Sequence, residues 1–235
     1  MSHTFNYILV GISIALVAGV IIYAIFFNRR GIVKRKMKKT PLVNISSFIE
    51  NDVARITGKI ELVGEPMLSP LSGRPCGYYH IHIEKKVQNG KNSNWSTVVD
   101  EEVAGNFIIR DGRYGAVISG KKLKTYLIQD KTFSSGTFND ADERLNNYLA
   151  KKGHSSTGFF GMNKTMRYKE GILEAGEMVA VVGTGKWQQI DSGHPLYGQV
   201  SDSRIFEISA IPDNGLVYLS DDPKLVALPD VKQSY

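Results

Sequence analysis

An uncharged apolar run near the N-terminus constrains this chain more than any other feature. Residues 7–27 read YILVGISIALVAGVIIYAIFF. An α-helix rises about 1.5 Å per residue, so about 20 apolar residues cross a hydrocarbon core of about 30 Å. The run is expected to form a single transmembrane helix, with residues 1–6 as a short extracytoplasmic N-terminus. A cleaved signal peptide fits less well. No Lys or Arg precedes the run, it exceeds a usual signal core, and no small-residue cleavage site follows. Instead Arg29, Arg30, Lys34, Arg35, Lys36, Lys38 and Lys39 follow it, which is the pattern of a stop-transfer border.

Those seven residues also account for the charge of the chain. Lys and Arg number 29 against 23 Asp and Glu, a formal charge of +6. Without the seven, 22 basic groups face 23 acidic ones, so the remainder is nearly neutral. A basic protein usually invites a nucleic-acid reading, but here the positive charge belongs to the membrane border and no nucleic acid is expected. Anionic lipid headgroups are the expected contact of Arg29, Arg30, Lys34, Arg35, Lys36, Lys38 and Lys39. The asymmetry places the N-terminus outside and the domain in the cytoplasm. The single cysteine, Cys76, excludes an internal disulfide and any multi-cysteine zinc site. Within the apolar run, Gly11, Ala15 and Gly19 recur four apart, a small-residue face that permits a homodimer through close helix pairing.

Beyond the run, residues 28–50 read as a basic juxtamembrane segment. Within it Thr40-Pro41 resembles a helix start, with Leu42, Ile45 and Ile49 at helical spacing. Residues 51–228 read as a β-rich domain and 229–235 as a tail. Short alternating segments begin at Val53 and include 78–87, 95–103, 107–109, 116–119, 123–128, 178–182, 187–190, 204–211 and 216–219. Asn89-Gly90 and Asp111-Gly112 punctuate them as turns. One helix is expected near 139–152, opened by a Thr137/Asp140 capping box and closed at Gly153. The fold expected is therefore mainly β, a barrel- or sandwich-like domain with one helical insertion, preceded by the single transmembrane helix.

Catalytic motifs are poor. Ser119-Gly120-Lys121-Lys122 fits S-x-x-K spacing but lies at a strand end rather than on a helix. Gly183-Thr184-Gly185-Lys186 lacks the glycine spacing of a phosphate loop, and Trp187 stands where a hydroxyl would hold magnesium; a turn is expected there. His80, His82 and Glu84 share one strand face and are reasonable zinc ligand types. With no further ligand evident, they read as a solvated face opposite Tyr79, Ile81 and Ile83. Cys76 reads as a small buried thiol, and the Glu170–Glu177 carboxylates as solvated or capping. No metal and no cofactor is expected.

Leu68-Ser69-Pro70-Leu71-Ser72-Gly73-Arg74-Pro75-Cys76-Gly77-Tyr78-Tyr79 resembles the signature of the GIDE domain. Asp111-Gly112 and the segment from Arg167 through Glu170, Leu173, Gly176, Glu177 and Val179 resemble its later motifs. The resemblance spans roughly residues 50–220. It implies a domain that sits beside a membrane, as in mitochondrial membrane ubiquitin ligases and many prokaryotic membrane proteins. It also implies structural roles for Pro70, Ser72, Gly73, Pro75, Cys76, Tyr79, Asp111, Gly112, Glu170, Gly176 and Glu177. The ligase members add a second transmembrane helix and a RING, which needs two tetrahedral zinc sites of four ligands each. One Cys and five His cannot supply them. The likeness is closest to the prokaryotic branch, and the expected location is the inner (plasma) membrane.

Three functions compete. The leading expectation is a membrane-anchored interaction or scaffolding module with no catalysis of its own, acting on a membrane-proximal protein. The second is a hydrolase-like enzyme with a cryptic site around Cys76 and His82. The third is a ubiquitin ligase, implied by resemblance alone and opposed by the missing RING.

Overall fold

The computed structural model describes residues 7, 11–20, 28–119, 123–128, 131–135, 143–155 and 165–229, with only the backbone described at 131–135. Residues 11–20 are helical and exposed. Among the described residues, no helix is long and apolar enough to cross a membrane. Much of the 7–27 run lies outside the described residues, so the span itself carries no structural support. Outside them too lie the Thr137/Asp140 capping box, the Gly120–Lys122 part of the S-x-x-K motif, and residues 230–235.

The domain is mainly β, as expected. Its strands are β1 Ala54–Leu62, β2 Met67–Leu68, β3 Pro75–Cys76, β4 Tyr78–Asn89, β5 Asn92–Ala104, β6 Phe107–Asp111, β7 Tyr114–Ile118, β8 Leu123–Tyr126 and β9 Lys131–Ser135. β10 Met166–Leu173, β11 Met178–Gln189, β12 Arg204–Ser209 and β13 Val217–Ser220 complete the series. β1, β6, β7, β12 and β11 close on one another through the β1–β11 pairing, giving a five-stranded barrel. β13 and β8 extend from β11. A second, antiparallel sheet has the order β5-β4-β10-β9.

Alternation builds the barrel interior. Ile56 and Ile60 of β1, Ile109 of β6, Val179 and Val181 of β11, and Phe206 and Ile208 of β12 form one buried cluster. Phe48 closes one end by stacking on Phe206 at 4.2 Å between ring centres. Tyr78 and Leu173 belong to the same cluster, so the first residue of β4 and the last of β10 join the second sheet to the barrel. The insertion helix Glu143–Lys151 covers one face of that sheet. Its Leu145, Tyr148 and Leu149 pack with Ile81, Ile83 and Tyr168.

The structure departs from the sequence reading in three main places, besides the unexpected short strand β9 and the helical turn Pro223–Val226. The segment after the apolar run is a helix, Arg29–Lys39, rather than a linker. Asn28 caps it, its side chain accepting from the Gly31 N–H at 2.5 Å. Thr40 ends this helix instead of starting one, because a residue before proline is pushed out of the helical region; its φ, ψ are −101° and 129°. Leu42 to Ile49 holds only a short 3₁₀ turn, Ile45–Ser47, and Ile49 is exposed. Second, Gly183 to Lys186 is strand and not a turn. β11 runs through it, and a Cβ on Gly183 would lie 2.5 Å from the Ile208 side chain across the ladder. Third, β10 was not expected as a strand. Its sequence, MRYKEGIL, mixes charges and glycine, which mask the β pattern.

Candidate functional site

Two of the three motifs behind the family resemblance meet in space. Glu170, at the centre of β10, is fully buried beneath the Ser69–Gly73 turn. One of its oxygens accepts from the Ser69 hydroxyl, from the Leu71 N–H at 3.1 Å and from the Ser72 N–H at 3.3 Å. A carboxylate from one motif therefore clamps the loop of another. Arg74 adds an ion pair to Glu174 at 2.8 Å. Gly176 and Glu177 dock on β1: the Gly176 N–H donates to the Ile60 carbonyl and the Ile60 N–H to the Glu177 carbonyl, each at 2.8 Å. The Glu177 carboxylate also accepts from the Glu174 N–H. Asp111 and Gly112 sit apart, in the β6–β7 turn, where Asp111 accepts from the Ile45 N–H at 3.3 Å. Gly73, Gly112 and Gly176 all hold positive φ. Glu170 thus differs from the solvated or capping role expected of it.

Cys76 is fully buried. Burial, reinforced by the charges of Glu170 and Glu174, pushes its thiol up to about 11. A thiol held protonated is a weak nucleophile. Cys76 and His82 lie six residues apart along nearly continuous extended chain, a separation of about 20 Å at roughly 3.3 Å per residue. The pair does not form a single site. Tyr79 is only half-buried, while Tyr78 takes the fully buried place.

The basic helix is held to the domain by Val33 and Met37, both fully buried against Ala180, Val182 and Tyr218. Arg29 pairs with Glu102. Arg30 lies 3.7 Å from Asp222 and over the Tyr126 ring. Lys34, Lys38 and Lys39 are exposed, and Arg35 and Lys36 partly so.

The face of the second sheet turned away from the insertion helix carries the remaining candidates. His80, His82 and Glu84 point away from the insertion helix, as alternation requires. β10 places Gly171, Lys169 and Arg167 opposite them, and β5 places Glu102, Asp100 and Thr97. The flanking carboxylates are engaged by arginines: Glu84 by Arg167 and Glu102 by Arg29. Asp100 instead receives the His80 Nε2–H at 2.6 Å and lies 3.7 Å from His82 Nδ1. One ligand atom from each of His80, His82 and Asp100 falls within 4.8 Å of the others. Partial burial opposes the charge on Asp100. The His80 hydrogen bond and the charges of His80, His82 and Arg29 outweigh it and hold the carboxyl below its usual range.

A cleft of about 280 Å³ opens beside the two histidines, on the β10 side of them, lined by His80, His82 and Lys169 and by Arg29 and Arg30 at the start of the basic helix. Gly171 makes room for it. A Cβ there would press on Leu127, at 3.1 Å, which packs over the sheet.

Asp100 was invisible to sequence reasoning because of one residue. The Asn89-Gly90 turn fixes a tight hairpin, and an unbroken ladder from it would set Val99 opposite His82 and Glu101 opposite His80. Instead, Glu84 pairs with Thr97 and Ile83 with Val99, leaving Val98 as a bulge. Beyond it Asp100 faces His82 and Glu102 faces His80. The alternating apolar residues Ile81, Ile83 and Val99, all buried together, are the sequence signal that could have revealed the slip.

No family model, curated protein or solved structure matches the chain. The class assignment therefore rests on the fold and the site: a mainly β domain, a barrel joined to an open sheet, with a His/Asp cluster beside a docked basic helix.

Proposed function

We propose that the chain is a membrane-tethered interaction module of the GIDE type. A single helix over residues 7–27 anchors it, and the β domain acts against the cytoplasmic face of a prokaryotic plasma membrane. One observation carries the reading. The helix Arg29–Lys39, next in sequence to the apolar run, is fixed to the domain through Val33, Met37 and the Arg29–Glu102 pair. A span leading into such a helix would hold the domain at one orientation to the bilayer instead of letting it swing on a linker. Exposed Lys34, Lys38 and Lys39 are then the groups that meet anionic headgroups, each worth about 1 kcal/mol near a charged surface. The shared clamp of Glu170 on the signature loop supports a structural reading of the GIDE-like motifs. These 235 residues hold one Cys and five His, too few for the eight ligands of a RING, so ubiquitin transfer is not part of the role proposed for them.

Topology and partnership are tested together. Cys76 is buried, so Lys91→Cys, at the exposed tip of the β4–β5 hairpin, supplies the reactive thiol. In intact cells an impermeant maleimide should leave it unlabelled until the membrane is permeabilised; ready labelling would overturn the cytoplasmic placement. A photo-crosslinker at the same position should yield a discrete protein adduct in intact membranes. Adducts with lipid alone would remove the interaction reading.

A further inference from the structure

We propose that His80, His82 and Asp100 bind a divalent transition-metal ion of the zinc class at the edge of the cleft beside the basic helix. The argument begins with geometry. Zinc binds imidazole nitrogen and carboxylate oxygen at about 2.0–2.2 Å, so two ligands of a tetrahedral ion lie about 3.3 Å apart. The Asp100 oxygen stands 2.6 Å from His80 Nε2 and 3.7 Å from His82 Nδ1, on either side of that spacing. The two imidazole nitrogens lie within 4.8 Å of each other, and side-chain rotation closes the set.

The surroundings select these three groups. Glu84 and Glu102 also approach the histidines, 3.7 Å from His82 Nε2 and 4.0 Å from His80 Nε2, but each pairs with an arginine, Arg167 and Arg29, whereas Asp100 lies near both imidazoles. The His80 Nε2–H donated to Asp100 is the proton an ion would displace, with the ion taking over the link between ring and carboxylate. Two imidazoles with a single carboxylate favour zinc, copper or nickel over calcium or magnesium, which take oxygen ligands. Three protein ligands leave a fourth position open toward the cleft, the arrangement of reactive rather than closed structural zinc. Lys169, opposite His82, and Arg29 and Arg30 line that opening. The ligand suited to the fourth position is water or a small anion such as a carboxylate or phosphate group.

The full chain, purified in detergent and stripped with a chelator, is titrated with cobalt(II) and then zinc. Cobalt should give visible ligand-field bands at one equivalent, which zinc abolishes. His82→Ala and Asp100→Asn should each weaken binding by roughly 100-fold or more, since even partners of metal ligands cost 10–100-fold. The paired control His154→Ala/His194→Ala should bind as the parent does. Melting curves run alongside show whether each variant is folded. If the folded parent gives no cobalt bands, or if the His82→Ala variant binds as tightly as the parent, the assignment is overturned. Binding of inorganic phosphate by the stripped protein with no cobalt bands would identify an anion cleft and overturn it equally.

Discussion

Replacing Glu170 with alanine removes the acceptor of the Ser69 hydroxyl and of the Leu71 and Ser72 N–H groups. Ser69 and Leu71 are buried, and water cannot replace the lost oxygen without entering the turn. Each buried donor left unmade costs about 1–3 kcal/mol. Against that stands the cost of burying the carboxylate, which the variant recovers in part. The net is about 3–5 kcal/mol, the scale of breaking a buried charged network. For a domain of this size about 1 kcal/mol moves the midpoint by roughly 2–4 °C, so Glu170→Ala should melt about 10 °C lower. Glu170→Gln keeps one acceptor oxygen and should fall between the two. Thermal melting followed by circular dichroism is the assay. A Glu170→Ala midpoint within about 1 °C of the parent would refute the clamp, and with it the idea that the two motifs brace each other.

Tyr78→Ala should cost about 3–5 kcal/mol, because Tyr78 is 1% exposed and joins the barrel core. Tyr79→Ala, at a half-buried position, should cost clearly less, and the reverse order in urea melts would contradict the packing. Cys76, fully buried with its thiol pushed up to about 11, should resist an aromatic disulfide reagent at pH 8 and react once the chain is denatured in urea; fast reaction in native buffer would contradict its burial. Stability should fall on acidification. Glu84 is held below the usual range by its hydrogen bond from Arg167. For Glu101, burial opposes the charge but is outweighed by bonds from Lys152 and Tyr148, so its carboxyl too is held low. Asp100 is likewise low. A depressed folded value stabilises fully above the unfolded one, near 4, and the contribution is lost as pH drops through the folded value. The melting temperature should therefore hold from pH 7 to about 5 and decline below about 4; a flat profile to pH 3 would argue against these pairings.

The strands that alternate cleanly were legible in the sequence, as were the turns at Asn89-Gly90 and Asp111-Gly112 and the main helix. Each is fixed by neighbours along the chain. The basic helix was hidden because seven of its eleven residues are Arg or Lys and only Val33 and Met37 mark the buried stripe, too few for a periodicity to register. β10 was hidden by the same kind of contact that makes it important: a glutamate rather than an apolar residue stands at 170, where a loop about 100 residues earlier in the chain requires an acceptor. Of the candidate site, His80, His82 and Glu84 were placed on one face by parity alone. Asp100 and Lys169 reach that face through pairings that only the folded sheet specifies.

The bulge at Val98 makes the cluster a matter of counting. Deleting this one residue would leave a regular ladder, with Glu84 still opposite Thr97 and Asp100 still opposite His82, so the faces of β5 would stay as they are. Keeping Val98 but pairing it without a bulge would instead set Val99 and Glu101 beside the histidines and drive Asp100 toward the insertion helix. A hairpin of this type that keeps both histidines and the aspartate can therefore still lack the cluster. What identifies it is the parity of the spacing between His82 and Asp100 read together with the bulge: across a two-residue turn an even separation shares a face only through a bulge, and an odd one only on a regular ladder.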